Sequence, residues 1–169
     1  ITKENVNHAI INLSKTKAYY GDTITVSVTP GAGYSVLAIK VNGVAISGNS
    51  FVAKEDSVVT IELLGTEYTI TIDQAENGEI TSEVTKSCAG ETVTLTVSPS
   101  EGYNLANLEI KSDGKDVARV INGNIVTFTM PAGNVTISAT FEKDTYQIKI
   151  DSMENGTVSA MPVSAAEGN

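Results

Sequence analysis

The stretch that decides the fold is Gly21-Asp22-Thr23-Ile24-Thr25-Val26-Ser27-Val28-Thr29-Pro30, followed by Gly33-Tyr34. From Thr23 onward, hydroxyl side chains alternate with valine and isoleucine. Because successive side chains of a β-strand point to opposite faces, this alternation places Ile24, Val26 and Val28 on one apolar face. Threonine suits the opposite, solvated face. One-sided burial of this kind is typical of a largely antiparallel sheet.

The same stretch recurs 69 positions later, as Gly90-Glu91-Thr92-Val93-Thr94-Leu95-Thr96-Val97-Ser98-Pro99 followed by Gly102-Tyr103. A second match has an offset of 78 positions. It relates Tyr68–Asp73 and the Glu76-Asn77-Gly78 turn to Tyr146–Asp151 and Glu154-Asn155-Gly156. The second copy is therefore nine residues longer, and we expect most of the insertion around Ser112–Asp116, since surface turns tolerate insertions.

The two offsets predict three tandem modules. They are residues 1–67, with a truncated first strand, residues 68–144, and residues 145–169, the truncated start of a third copy. In this alignment Ile1 corresponds to Ile70 and Asn169 to Glu91. That phase leads us to expect a longer parent array.

Each full copy is predicted to contain about six mostly antiparallel strands. In the second copy they are Tyr68–Asp73, Glu79–Thr85, Thr92–Ser98, Leu108–Lys111, Ile125–Met130 and Val135–Glu142. The residues predicted to face the core are Val93, Leu95, Val97, Val135, Ile137, Ala139 and Phe141. No window has a helical apolar period. The predicted fold is all-β, with two-layer, sandwich-like modules; a β-grasp-like module is the alternative.

Composition excludes several classes of function. The formal net charge is −9, the isoelectric point is near 4.5 and charged residues make up 18% of the chain. Nucleic acids and anionic membranes attract clustered lysine and arginine, so neither is an expected partner. No stretch has the roughly 18 consecutive apolar residues of a membrane-spanning helix. A single cysteine rules out an intrachain disulfide framework.

The repeated motifs resemble the divergent internalin-type B-repeat family of bacterial secreted and cell-surface proteins. The family pattern is a Glu-Asn-Gly-type turn, a Gly-Asp/Glu-Thr-Val-Thr-Leu-Thr-Val-x-Pro strand, Gly-Tyr, and a Thr-Met-Pro-Ala-x-x-Val-Thr-Ile-x-Ala-x-Phe ending. The second copy follows it from Tyr68 to Phe141, whereas the first copy lacks the Met-Pro. The resemblance implies tandem modules of an adhesin-like or cell-wall-associated protein, outside the cell, with no catalytic residues and no cofactor.

The candidate reactive side chains lack partners in the sequence. His8 aligns with the turn residue Asn77, and as the only histidine it has no converging partners for a triad or a metal site. Cys88 aligns with Tyr19. We interpret Cys88 as a partly buried small hydrophobe at a strand end, because no histidine is available to activate its thiol.

Two pairs of carboxylates lie in predicted turns, Glu55-Asp56 and Asp113/Asp116. Aspartate in a turn commonly hydrogen-bonds the nearby backbone, and we favour that interpretation. A weak calcium site at Asp113–Asp116 is the alternative, although the ligand density of a calcium loop is missing.

Tyrosines provide the candidate contact surface. Tyr34 and Tyr103 follow the same glycine in both copies, which favours a packing role over ligand stacking. Tyr19 and Tyr20 stand where the second copy has Cys88-Ala89. Since neighbouring side chains on a strand face opposite sides, we expect one of these two rings to be exposed and to mark a contact surface.

Two functions follow as hypotheses. The first is a non-catalytic spacer or stalk, whose partners are neighbouring repeat modules of the same chain. The second is a binding module that contacts glycan or a host or cell-wall protein through the threonine-rich face or Tyr19 and Tyr20. We also expect the tail, residues 145–169, to pair with the second copy or to mediate a strand-swapped dimer, because a lone hairpin is marginal in water.

Overall fold

The computed structural model describes residues 1–149 and the backbone of residues 164–166, and in these residues it is all-β. They contain no helix, so none that is long and apolar enough to cross a membrane. The strands are β1 (Thr2–Lys3), β2 (Ala9–Leu13), β3 (Thr23–Pro30), β4 (Tyr34–Val41), β5 (Val44–Ala45), β6 (Ser50–Val52), β7 (Val58–Gly65), β8 (Glu67–Ile72), β9 (Gly78–Ser82), β10 (Lys86–Cys88), β11 (Thr92–Pro99), β12 (Tyr103–Ser112), β13 (Lys115–Asp116), β14 (Arg119–Asn122), β15 (Ile125–Thr129), β16 (Val135–Lys143), β17 (Thr145–Gln147) and β18 (Ser164–Ala166). The predicted all-β class is confirmed, and the β-grasp alternative, which needs a helix, finds no support in the described residues.

The chain divides into two compact units. Unit 1 contains Ile1–Thr69, Lys86–Glu91 and Met130–Gly133. It has two sheets, with strand orders β1-β7-β4-β5 and β2-β3-β6. Ile11 and Val26 from the second sheet pack with Val59 and Ile61 from the first, and all four are buried. The alternation read from the sequence therefore encodes a sandwich with an apolar interior.

Unit 2 contains Ile70–Thr85, Thr92–Thr129 and Asn134–Asn169. One of its sheets has the order β14-β15-β11-β9, and in the other β16 lies between β8 and β12. Five of the seven predicted core residues are buried, namely Val93, Leu95, Val97, Val135 and Ile137. Ala139 and Phe141 are half-buried. A Cβ added to Gly78 would lie only 2.5 Å from the Phe141 ring, so the ring rests on that glycine backbone.

The two copies repeat each other in strand register as well as in sequence. Tyr34 pairs with Gly65 across β4 and β7, and its counterpart Tyr103 pairs with Lys143 across β12 and β16. Each pairing has a register shift at the same place, beside Leu37 in the first copy and Ala106 in the second. A bulge that recurs in both copies is a regular structural feature of the repeat. Ile24 and Val26 are buried and Val28 is half-buried, so the predicted equivalence with Val93, Leu95 and Val97 is confirmed.

The prediction of mostly antiparallel strands is confirmed, although the first and last strands of each copy pair in parallel, β1 with β7 and β8 with β16. Two strand predictions need correction. β12 begins at Tyr103 instead of Leu108, because the bulge interrupts its alternation and hides its first half. The insertion is also misplaced. The hairpin at residues 112–116 is only slightly longer than its counterpart, and most of the extra length forms β14, which pairs with β15 and has no equivalent in the first copy.

In the tail, β17 pairs with β18, with Tyr146 opposite Ala165. At an offset of 78 this ladder reproduces the pairing of β8 with β10, in which Tyr68 lies opposite Ser87. The described partner of β17 is therefore the tail's own strand and not an edge of the second copy. Pairing of the tail should cover the side chains of Tyr146, Ile148, Ile150 and Val158. Tyr146 and Ile148 are instead exposed, and Ile150 and Val158 lie outside the described residues. The module boundaries 1–67, 68–144 and 145–169 stay a prediction.

Candidate functional site

The Tyr19–Asp22 segment of unit 1 is a tight turn. The backbone N–H of Asp22 donates to the carbonyl of Tyr19 at 3.0 Å, and Gly21 has a φ of 90°. A glycine with positive φ at the third position is the mark of a type II turn. Gly21 N–H donates to Ala53 O and Ala53 N–H donates to Asp22 O, both at 2.8 Å, which ties the turn to the segment after β6.

The Asp22 carboxylate stabilises this turn through two hydrogen bonds. Its Oδ2 accepts from the Lys15 ammonium at 2.9 Å and from the backbone N–H of Tyr19 at 3.1 Å. The hydrogen bond from Lys15 and then that from Tyr19 hold the pKa of Asp22 below its usual value. Hydrogen bonds to the charged form stabilise that form. The acidic residue of the Gly-Asp-Thr motif is therefore a structural cap.

Tyr19 and Tyr20, the predicted contact residues, are 87% and 82% exposed. We expected one exposed ring because we placed both residues on a strand; they lie instead in a turn, where strand alternation does not apply. Both rings border an open depression, lined by Ile1, Thr16, Lys17, Ala18, Tyr19, Tyr20, Ala53, Lys54, Glu55 and Asp56. The turn therefore presents two adjacent, largely exposed tyrosine rings.

The equivalent turn, Cys88–Glu91, also lies in unit 1 and has the same hydrogen bonds. Glu91 N–H donates to Cys88 O at 3.3 Å, and Gly90 has a φ of 84°. Gly90 N–H donates to Met130 O at 2.7 Å, and Met130 N–H donates back to Glu91 O at 2.8 Å. The Glu91 carboxylate accepts from the Ser87 hydroxyl at 2.8 Å and from Cys88 N–H at 3.1 Å, and these two bonds lower the pKa of Glu91.

The surroundings of this second turn are different, because the first copy covers it. Ala89 is only 5% exposed. A Cβ built on Gly33 would lie 2.9 Å from the Ala89 Cβ, and one built on Gly65 would lie 2.7 Å from the Cys88 Sγ. Real Cβ atoms do not approach so closely, so a side chain at either position would force its neighbour to shift. Gly33, the glycine of the Gly-Tyr motif, therefore leaves room for another turn to pack against its backbone.

Aromatic side chains complete this packed region. The His8 ring stacks on the Tyr34 ring, with 4.5 Å between ring centres and 7° between planes. Burial, and then the nearby Cys88 and Glu91, raise the pKa of the Tyr34 hydroxyl. These contacts favour the packing role that we predicted for Tyr34.

Cys88 is half-buried and ends β10, which agrees with its interpretation as a small hydrophobe at a strand end. Burial is the main cause that raises the pKa of its thiol, and the carboxylates of Glu91 and Glu67 raise it further. A raised thiol pKa leaves less thiolate at neutral pH, which is the opposite of what a nucleophile needs.

The remaining candidates serve local structure. His8 has a φ of 64°, as does Asn77, so the predicted turn position is confirmed. The Asn42 amide donates to Glu55 Oε1 at 3.2 Å and to the Asp56 carbonyl at 3.1 Å.

Asp113 lies in the two-residue turn between β12 and β13 with a φ of 51°, so its predicted turn position is confirmed. Within residues 1–149, no three His, Cys, Asp or Glu side chains are grouped so that they could hold a metal ion.

Sequence reasoning missed Gly33 and Gly65, the two glycines on which the second turn packs. The signal for Gly33 was its recurrence as Gly102. Gly65 gave no such signal, since the equivalent residue is Lys143.

Comparison with known proteins supports the repeat. Residues 68–145 match the family model described as the divergent InlB B-repeat domain. No curated protein and no solved structure matches the chain significantly. The matched residues include the Cys88–Glu91 turn and both sheets of the second copy. Members of this family are typically repeat modules of bacterial surface or secreted proteins and are generally non-catalytic. Residues 68–145 are therefore similar to the divergent InlB B-repeat family.

Proposed function

We propose that this chain is a non-catalytic spacer, part of the stalk of an adhesin-like protein on the bacterial cell surface or in the cell wall. The observation that carries the proposal is the way in which consecutive copies are joined. A single residue, Thr66, separates β7 from β8, and a single residue, Asp144, separates β16 from β17. Such short joints leave little room for free rotation, whereas flexible linkers are longer and rich in glycine and serine.

The joints are also fixed by the same hydrogen bond in both places. Thr66 N–H donates to the carbonyl of Gly33, and Asp144 N–H donates to the carbonyl of Gly102, each at 2.8 Å. The donor precedes the first strand of the next copy, and the acceptor is the glycine of the Gly-Tyr motif. A joint that recurs unchanged supports a regular array, as in repeat proteins whose modules contact their nearest neighbours.

The experiment measures the stiffness of the joint. Spin labels are placed at Val44→Cys and Lys115→Cys, exposed residues in the equivalent strands β5 and β13, in a Cys88→Ser background. A stiff spacer gives a distance distribution as narrow as that of a pair within unit 1, Val44→Cys with Ile10→Cys. The flexible reference carries six Gly and Ser residues inserted after Thr66. A distribution as broad as that of the reference would contradict the spacer.

A second candidate function is the binding of glycan or a host or cell-wall protein by the Tyr19–Tyr20 surface. The exposure of both rings favours it, because an aromatic ring can pack on the apolar face of a sugar or a peptide. Glycan-array binding that is lost in Tyr19→Ser/Tyr20→Ser and retained in Tyr146→Ser would support this candidate. If the chain binds none of the glycans on the array, glycans are excluded as the ligand.

A further inference from the structure

Strand β14 (Arg119–Asn122) is an addition to the second copy and forms one edge of a sheet in unit 2. It pairs with β15 on one side, and no described strand pairs with it on the other. The first copy ends its equivalent sheet at β6, the counterpart of β15, and has no strand beyond it in the described residues. The basic repeat is therefore complete without β14.

The edge formed by β14 lacks most of the features that prevent strand edges from pairing. Natural edge strands commonly carry lysine, proline or a bulge, each of which discourages the addition of another strand. β14 has no lysine or proline, and its pairing with β15 has no register shift. All four of its residues are exposed, including Val120 at 67% and Ile121 at 50%. An open edge with exposed apolar side chains is a site for strand addition.

Hydrogen bonding inside the sheet determines which backbone groups of β14 point to the open edge. Val97 N–H in β11 donates to Asn124 O, just before β15, at 2.8 Å. Because strand residues bond alternately to their two neighbours, even-numbered residues of β15 bond to β11 and odd-numbered ones to β14. Their partners are the even-numbered residues of β14. The N–H and C=O groups of its odd-numbered residues, Arg119 and Ile121, therefore point outward.

The distribution of charge allows a second molecule of this chain to approach this edge. The chain has a net charge of −9, so two molecules repel each other through most of their surfaces. From Val117 to Phe141, however, the sequence has no carboxylate, and Arg119 is the only charged residue. The hydrogen bond from Lys111, and more weakly the charge of Arg119, lower the pKa of Glu109, so this nearby carboxylate is already compensated.

We infer that β14 is a self-association site, at which two molecules pair antiparallel about a twofold axis between their Ile121 residues. Each Ile121 exchanges two backbone hydrogen bonds with its counterpart, and Arg119 pairs with Gly123 of the partner molecule. Every outward-facing backbone group of β14 is then used. The inference is independent of the spacer function, since it concerns contacts between molecules and not the joint between repeats.

Charge favours this register over the nearest alternative. A register centred on Val120 would place the two Arg119 side chains diagonally across the ladder, about 7–8 Å apart. The register centred on Ile121 places them at opposite ends of the ladder, and it sets Val120 opposite Asn122 of the partner molecule. A ladder of four residues from each molecule is far smaller than a standard interface, so the association is weak in solution.

Analytical ultracentrifugation of the full chain at physiological ionic strength, up to about 1 mM, should show a monomer–dimer equilibrium of this weak kind. Val120→Lys places two like charges diagonally across the axis and should weaken dimerisation roughly tenfold or more. The matched control is Val44→Lys in β5, where the valine is 70% exposed, and it should leave dimerisation unchanged. A chain that stays monomeric, or equal weakening by both substitutions, would overturn the inference. Dimerisation that survives Val120→Lys would overturn it as well and would implicate the tail, residues 145–169.

Disulfide trapping tests the register. Molecules with Val120→Cys are mixed with molecules with Asn122→Cys, all in a Cys88→Ser background, in a thiol–disulfide redox buffer. In the proposed register these two positions form a non-hydrogen-bonded pair with Cα atoms about 4.5 Å apart, which suits a disulfide. Two cysteines at the same position lie on a diagonal about 7–8 Å long, beyond that range.

The mixed disulfide dimer, identified by its mass, should therefore outnumber either like dimer by roughly fivefold or more, whereas random pairing gives only about twofold. Random proportions of the three dimers would overturn the inference.

Discussion

Two equivalent turns, Tyr19–Asp22 in the first copy and Cys88–Glu91 in the second, have the same backbone hydrogen bonds and differ in what surrounds their first two side chains. In both, a glycine with positive φ and a capping carboxylate keep the shape. Large rings are exposed to solvent at the first two positions of the first turn, and small side chains pack on glycines at the first two positions of the second. The motif residues therefore specify the shape of the turn, whereas its first two residues specify what the turn contacts.

The largest expected effect concerns what both copies share, the apolar interior. Leu95 is fully buried in β11, and Leu95→Ala should lower the free energy of unfolding by roughly 2–5 kcal/mol. The equivalent Val26→Ala in β3 should cost less, because valine loses fewer carbon atoms. Denaturant melts of both variants measure the pair. A loss below about 0.5 kcal/mol for Leu95→Ala, the size of an ordinary surface substitution, would remove it from the core.

A smaller effect is expected where the two turns differ. Gly65→Ala would place a Cβ 2.7 Å from the Cys88 Sγ, and we expect an overpacking cost of roughly 1–3 kcal/mol. The backbone at Gly65 does not have a positive φ, so alanine adds no conformational strain there.

Removing the sulfur tests whether this cost arises at the packed turn. Adding Cys88→Ala should recover part of the loss, and a double-mutant cycle in denaturant measures the coupling. Strict additivity of the two substitutions would show that Gly65 does not pack on this turn.

Acid should weaken both turns alike, because both use a carboxylate cap. The native pKa values of Asp22 and Glu91 lie below the ordinary values of 3.8 and 4.5, so the ionised form is the one that stabilises the fold. This stabilisation is complete above those ordinary values and is lost as the pH falls through the lowered native ones.

Asp22→Asn and Glu91→Gln should therefore each flatten the acid side of a plot of Tm against pH. Thermal melts between about pH 7 and pH 2.5 measure this difference in slope. Curves that stay parallel to that of the unmodified chain would show that the caps contribute no such pH dependence.

The smallest effect is expected from exchanging the first two residues of the open turn. Replacing Tyr19-Tyr20 by Cys-Ala, as in the second copy, should change the free energy of unfolding by no more than about 0.5 kcal/mol, because both rings are exposed. The reverse exchange, Cys88→Tyr with Ala89→Tyr, serves as the matched control and should destabilise the fold by overpacking. If both exchanges change the free energy of unfolding equally in denaturant melts, the two turns do not differ in packing.

The fold was more predictable than the candidate site, for a physical reason. Alternation and repetition are properties of the chain itself, and they were enough to predict the all-β class and the burial of Ile24 and Leu95. The parallel pairing of β8 with β16 was missed because it joins residues far apart in sequence. The role of Gly65 was missed because only the three-dimensional approach of Cys88 shows why a side chain cannot be present there.

Hydrogen exchange of the unmodified chain tests the comparison most directly, because both turns are measured in one molecule. Lys86–Cys88 are paired in a ladder and lie beside Gly33 and Gly65, whereas Lys17–Tyr19 belong to no strand. We predict that amides at 17–19 exchange roughly tenfold or more faster than those at 86–88, after correction for intrinsic rates. Equal exchange rates in the two segments would contradict the conclusion that one repeat closes the turn of the next.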